Sequence, residues 1–164
     1  MINILLSVRL PFSGLILDGK KPWELRKNAP RIPRGEHVTL WLYESGKDGK
    51  RAIIGKCRLV IIASLYPYPP KGTLELSMKQ ACVTEEELRN YLPCRIWKVE
   101  DPVKLPAAVP LSAIGLTRPP QSWQYLTDES QPASAMHMPG GNAQCPHDQG
   151  AEGKIPGRCF EECL

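Results

Sequence analysis

One short run, Gly19-Lys20-Lys21-Pro22-Trp23-Glu24-Leu25-Arg26, sets cations on both sides of a carboxylate. From Trp23 to Lys27 the chain alternates, with Trp23 and Leu25 apolar and Glu24 and Arg26 charged. A period of two predicts a half-buried strand whose polar face carries Glu24 and Arg26 together. Lys21 stands at the entry to that strand, with Lys20 beside it. Arg9 follows Ser7 by two residues at the end of an earlier apolar run. If the two strands are neighbours, Ser7, Arg9, Lys20, Lys21, Glu24 and Arg26 converge on one mouth. Arg9 and Arg26 could then grip a phosphate or carboxylate in bidentate fashion. Glu24 could accept from the exocyclic amine of a nucleobase. The plainer alternative is that Glu24 and Arg26 form a surface ion pair of little energetic weight.

The elements that must position these groups can be read in turn. Asn3 to Val8 reads as a short buried strand. Pro11 to Asp18 reads as a short helix, with Gly19 just past its end. His37 to Tyr43 alternates with Val38, Leu40 and Leu42 inward, and Ser45 to Lys50 has the Gly and Lys of a hairpin tip. Ala52 to Ala63 is a long β-rich run in which Gly55 marks a bulge or bend. Thr84 followed by Glu85, Glu86 and Glu87 is a helix start with a capping box, and that helix ends near Tyr91. Arg95 to Val99, Val109 to Leu116 and Ser122 to Leu126 read as further short strands. Trp23 is expected in the core; Trp41, Trp97 and Trp123 are open candidates for stacking on a base, though a core position is the favoured reading for each. The fold class is therefore α+β, mainly β: a small, partly closed barrel with an N-terminal helix and a helical insert.

Charge divides the chain. Residues 1–126 carry 19 Lys/Arg against 11 Asp/Glu, a net of +8, while residues 127–164 carry 2 against 6, a net of −4. A basic domain with an acidic tail suits a surface that meets polyanions, and a merely solvated surface fits the same count. No stretch reaches the apolar length of a membrane span. The start of the chain lacks the basic and small-residue marks of a signal peptide, so a cytoplasmic location without membrane attachment is expected. Reducing surroundings argue against a disulfide framework, and Cys57, Cys82 and Cys94 are expected as small core residues. Length allows one domain, assigned to residues 1–126, followed by a Pro/Gly/Ser-rich tail, 127–164, expected to be disordered. Within the tail Cys145, His147, Cys159 and Cys163 could bind one zinc ion, free thiols being the alternative.

The runs Leu6 to Phe12 and Ile16 to Arg26 resemble the ASCH domain. Gly19, Lys21, Glu24 and Arg26 fill the fixed positions of that family's G-x-K-x-x-E-x-R pattern. Pro33 to Val38, Gly55 to Val60 and Ile96 to Val99 resemble its later strands. The resemblance implies a PUA-like barrel and recognition of RNA, single-stranded or modified, or of a nucleotide. One branch similar to this family deacetylates acetylated cytidine with a lysine matching Lys21 and a threonine nucleophile. The threonine position here is Glu24, and that branch's insert carboxylate falls near Ala81, with Glu75 and Glu85 as substitutes nearby. A second branch is a ribonuclease, for which Lys21, Glu24 and Arg26 are the catalytic candidates here, Glu24 as base. Ligand identity and oligomeric state are not assigned by the sequence.

Overall fold

The computed structural model describes residues 1–127, and the proposed zinc ligands Cys145, His147, Cys159 and Cys163 lie outside them. The elements are β1 (Ile2–Arg9), α1 (Phe12–Leu17), β2 (Trp23–Arg26), β3 (Val38–Ser45), β4 (Ile53–Leu65), α2 (Lys71–Ala81), α3 (Glu85–Tyr91), β5 (Cys94–Val109) and β6 (Trp123–Leu126). The strands form one curled sheet in the order β2-β5-β4-β3-β1-β6. β1 runs parallel to β3; the other pairs are antiparallel.

β1 is apolar on both faces because it separates two cores. Ile4, Leu6 and Val8 point into the barrel with Leu40, Leu42, Leu59, Trp97 and Val99. Leu5 points the other way, to Trp41, Tyr43, Ile53 and Ile114. A third cluster, Leu65, Leu74, Leu88, Cys94 and Ile96, seats α2 and α3 against the sheet, with Trp23 and Leu25 packed on it. The period of two in β2 thus has a direct cause: its apolar face lies under the helical insert.

Two glycines fit their places for stereochemical reasons. Gly19, at φ +72°, turns the chain out of α1 in the left-handed region, delivering Lys21 to the start of β2. At Gly55 an added Cβ would sit 2.5 Å from Leu17 Cδ2 and 2.7 Å from the Val103 carbonyl oxygen, so only hydrogen fits where α1 crosses β4.

Three expectations are corrected. Residues 109–116 are not a strand: β5 ends at Val109, and Leu111–Ile114 form a single 3-10 turn between Pro110 and Gly115. β5 is far longer than 95–99, passing through Pro102 and Pro106. Register shifts and the positive φ of Asp101 accommodate those prolines, since bulged stretches release ladder positions. Helix α2 has no counterpart in the sequence reading; it starts at Pro70 without a side-chain cap and contains Gly72.

Candidate functional site

β1 and β2 are not neighbours. They lie toward opposite ends of the strand order, with β5, β4 and β3 between them. Their residues meet because the sheet curls, bringing β2 back toward β1 and β6. Arg26 spans this seam. Its Nη2 donates to the Ser7 carbonyl at 2.6 Å, and its Nη1 to Ser122 Oγ at 3.2 Å and the Ser122 carbonyl at 3.4 Å. A second fastening lies further along, where the Tyr125 hydroxyl accepts from the Arg31 amide at 2.9 Å and donates to its carbonyl at 3.0 Å.

Beside the seam lies a cleft of about 540 Å³. Ser7, Arg9, Leu10 and Phe12 come from the β1–α1 corner, Lys21 from the approach to β2, Glu24 and Arg26 from β2, and Val83, Glu87, Leu88 and Tyr91 from the helical insert, with Ser45 and Gln121 completing the lining. Five of the six expected binding residues therefore share one cavity; Lys20 does not line it.

The charged floor is buried. Glu24 Oε1 lies 2.7 Å from Arg26 Nη2 and Oε2 lies 3.4 Å from Lys21 Nζ, with 8% of the Glu24 side chain exposed. The surface-pair alternative fails on that burial. Lys21 Nζ also donates to the Trp23 carbonyl at 2.9 Å and the Ala81 carbonyl at 2.5 Å, and sits 4.9 Å from the Phe12 ring centre. Burial pushes the Lys21 pKa down while Glu24 opposes that shift. Three acceptor oxygens take its three protons, and an ammonium has three to give. That geometry describes a charged donor without a free lone pair.

Two cations and one anion leave this floor with one surplus positive charge. Backbone carbonyls from residues 7, 23, 81 and 122 supply the compensating dipoles. Arg26 Nε is buried with no partner among the described residues.

The groups open to a ligand lie around this floor. Arg9 is exposed at the mouth, and its side chain has no hydrogen-bond or ion-pair partner among the described residues; the same holds for the side chains of Gln121 and Ser45. Burial raises the Tyr91 pKa, Arg26 opposing and Glu24 adding to the rise. Ser45, Tyr91 and Gln121 escaped the sequence reading, because only the curl of the sheet and the docking of α3 bring them here. The Ser7 hydroxyl is committed to the Pro120 carbonyl at 2.7 Å. Glu87 spends its carboxylate on Thr84 at the start of α3. Trp41 and Trp97 are 3% and 0% exposed, and Trp123 packs 5.8 Å from Trp97, so none of the three lines the cleft. Cys57 and Cys94 are buried as expected, whereas Cys82 is only half-buried, ending α2 in a left-handed conformation. Among the described residues no three His, Cys, Asp or Glu side chains gather as a metal site, and no helix is long and apolar enough to cross a membrane.

Solved structures carry the same arrangement of elements. The ASCH protein of Zymomonas mobilis superposes with a TM-score of 0.64 at 20% identity, over 78% of this chain and 90% of that one. Its serine-to-alanine variant gives 0.65 at 19%, over 78% and 90%, and its tyrosine-to-phenylalanine variant 0.62 at 18%, over 78% and 92%. The chain has the ASCH fold. The small, mainly β fold with a curled sheet expected from the sequence is thereby borne out at the level of architecture. No family model and no curated protein sequence matches the chain.

Proposed function

We propose that this ASCH-fold domain binds RNA by holding one nucleotide, from a single-stranded or modified segment, in the cleft between β2 and the β1–α1 corner. The observation that carries the reading is the positively charged floor of Lys21, Glu24 and Arg26, with Arg9 at its mouth having no side-chain partner among the described residues. A cavity of about 540 Å³ is the size of a small-ligand site, large enough for a nucleotide and too confined for a duplex. Leu10, Phe12, Leu88 and Tyr91 supply apolar and aromatic wall for a base; Gln121, Ser45 and Glu24 supply donors and acceptors for its edge. Arg9 is placed for a phosphate.

Arg9 is the discriminating position, because Lys21 and Arg26 hold the fold together and their loss would confound binding with unfolding. RNA binding by the full chain, followed by fluorescence anisotropy, should weaken with added salt. Arg9→Ala should weaken it about tenfold at low salt while leaving the melting temperature unchanged. Equal affinity of the two proteins would remove the proposal.

The hydrolytic alternative, on acetylated cytidine or on RNA, draws little support from the cleft. Lys21 has no lone pair to act as base, Ser7 donates elsewhere, and Glu24 is held between two cations.

A further inference from the structure

Tyr66 and Tyr68 belong to none of the three hydrophobic clusters and are the most exposed tyrosines among the described residues. Tyr66 is 72% and Tyr68 93% exposed, in the run Leu65-Tyr66-Pro67-Tyr68-Pro69-Pro70 between β4 and α2. The prolines restrict the backbone of this run, so the rings are presented at reduced conformational cost.

The sheet register fixes where the run begins relative to the cleft. Arg26 pairs with Arg95 across β2 and β5, and Arg95 pairs with Ser64 across β5 and β4. Strands are spaced by about 4.8 Å, so Ser64 lies about 10 Å from Arg26. Tyr66 is two residues further, adding at most about 7 Å. A stacked strand advances about 3.4 Å per nucleotide, so about five nucleotides cover the whole path. Paired residues on adjacent strands point to the same face, which puts Arg95 beside Arg26 on that path. Arg95 is exposed, and among the described residues its side chain is hydrogen-bonded only to the Ser64 hydroxyl. Lys27, next to Arg26 in the chain, is also exposed, its Nζ donating to the Tyr91 and Pro93 carbonyls. Between Arg58 and Glu75 the chain carries no carboxylate to repel a phosphate.

We propose that Tyr66 and Tyr68 form a stacking platform for the nucleotides that flank the one held in the cleft, with Arg95 bridging the two. The platform rests on the cleft reading for its ligand class. Single-stranded nucleic acid is the favoured occupant because the rings adjoin a cationic path that continues from the cleft. A purely apolar protein contact would make no use of Arg95.

The test measures binding of the full chain to homopolymeric RNA of one, three and eight nucleotides, for each of the four bases, at low salt. Affinity should rise steeply between three and eight nucleotides. Stacking on one aromatic ring is worth about tenfold per base. The double substitution Tyr66→Ala with Tyr68→Ala should abolish that rise and leave mononucleotide binding untouched, while the corresponding Tyr→Phe pair should keep it. A rise that survives in the Ala pair, or no rise in the natural chain, overturns the platform, and the second result would leave the tyrosines to a protein partner. Failure of mononucleotides to bind, with a length dependence still lost in the Ala pair, would instead overturn the cleft reading and keep the platform. No binding at any length overturns both.

Discussion

The floor and the helical wall of the cleft are built by opposite means. On the floor, Lys21 reaches Ala81 and Arg26 reaches Ser7 and Ser122, so most partners are distant in sequence. On the wall, Thr84 and Glu87 cap α3 across three residues and Glu85 pairs with Arg89 across four. The wall's polar groups are satisfied as soon as the helix forms. Those of the floor are satisfied only once the whole sheet has curled. Removing a partner from the floor strands a buried charge, whereas removing one from the wall exposes groups to water.

The widest separation between the two regions should come from Arg26→Ala. It leaves Glu24 facing only Lys21 and unfastens β2 from β1 and β6. Breaking a buried pair in this way costs about 3–5 kcal/mol, measurable by urea unfolding. A loss below about 1 kcal/mol would mean that the floor behaves like a surface pair and would dissolve the contrast.

A smaller effect should appear with pH. Cys57 lies inside the barrel, and burial pushes its thiol from 9.0 up to about 12, with Glu24 adding to the rise. Here the folded state holds the proton more tightly than the unfolded one. The thiol's contribution is therefore intact below about pH 9 and is lost as pH climbs from there toward 12. The limiting slope is about 1.4 kcal/mol per pH unit. Cys57→Ala should flatten the fall in stability between pH 9 and 10.5 relative to the natural chain; parallel curves would show that the barrel interior does not exclude the thiolate.

On the wall, Thr84→Ala should cost about 1 kcal/mol by the same unfolding measurement. Its effect on RNA affinity should be small, because Thr84 does not line the cleft. A Thr84→Ala loss as large as that of Arg26→Ala would show that α3 depends on the floor.

The same division explains what could be read in advance. The capping box at Thr84 is a local pattern, and α3 appears over 85–91 as the spacing predicts. The alternation in β2 is likewise local, and Trp23 and Leu25 do pack on the cluster under the helical insert. Convergence of Ser7 and Arg9 with β2 was legible only through an adjacency of strands that does not exist; the curl of the sheet achieves it instead. Nothing local marks Gln121, whose place in the cleft depends on β6 joining β1 from the far end of the domain. α2 carries no start signal, so its existence rests on burial of Leu74, Ser77 and Ala81 rather than on propensity. Arg26 looked like a ligand-gripping cation by type, yet most of its donors are spent within the fold, on the Ser7 and Ser122 carbonyls, the Ser122 hydroxyl and Glu24.

The seam between β2 and the β1–β6 edge has one further consequence. Every other junction in the sheet is a ladder of main-chain hydrogen bonds, whereas this one is stitched by the side chains of Arg26 and Tyr125. A ladder spreads its hold over many main-chain bonds, whereas a stitched seam concentrates it in two side chains. The width of the cleft is thus tied to the same Arg26 that closes the barrel. Parting at this seam would break the contacts of Arg26 and Tyr125 while leaving every strand pair intact.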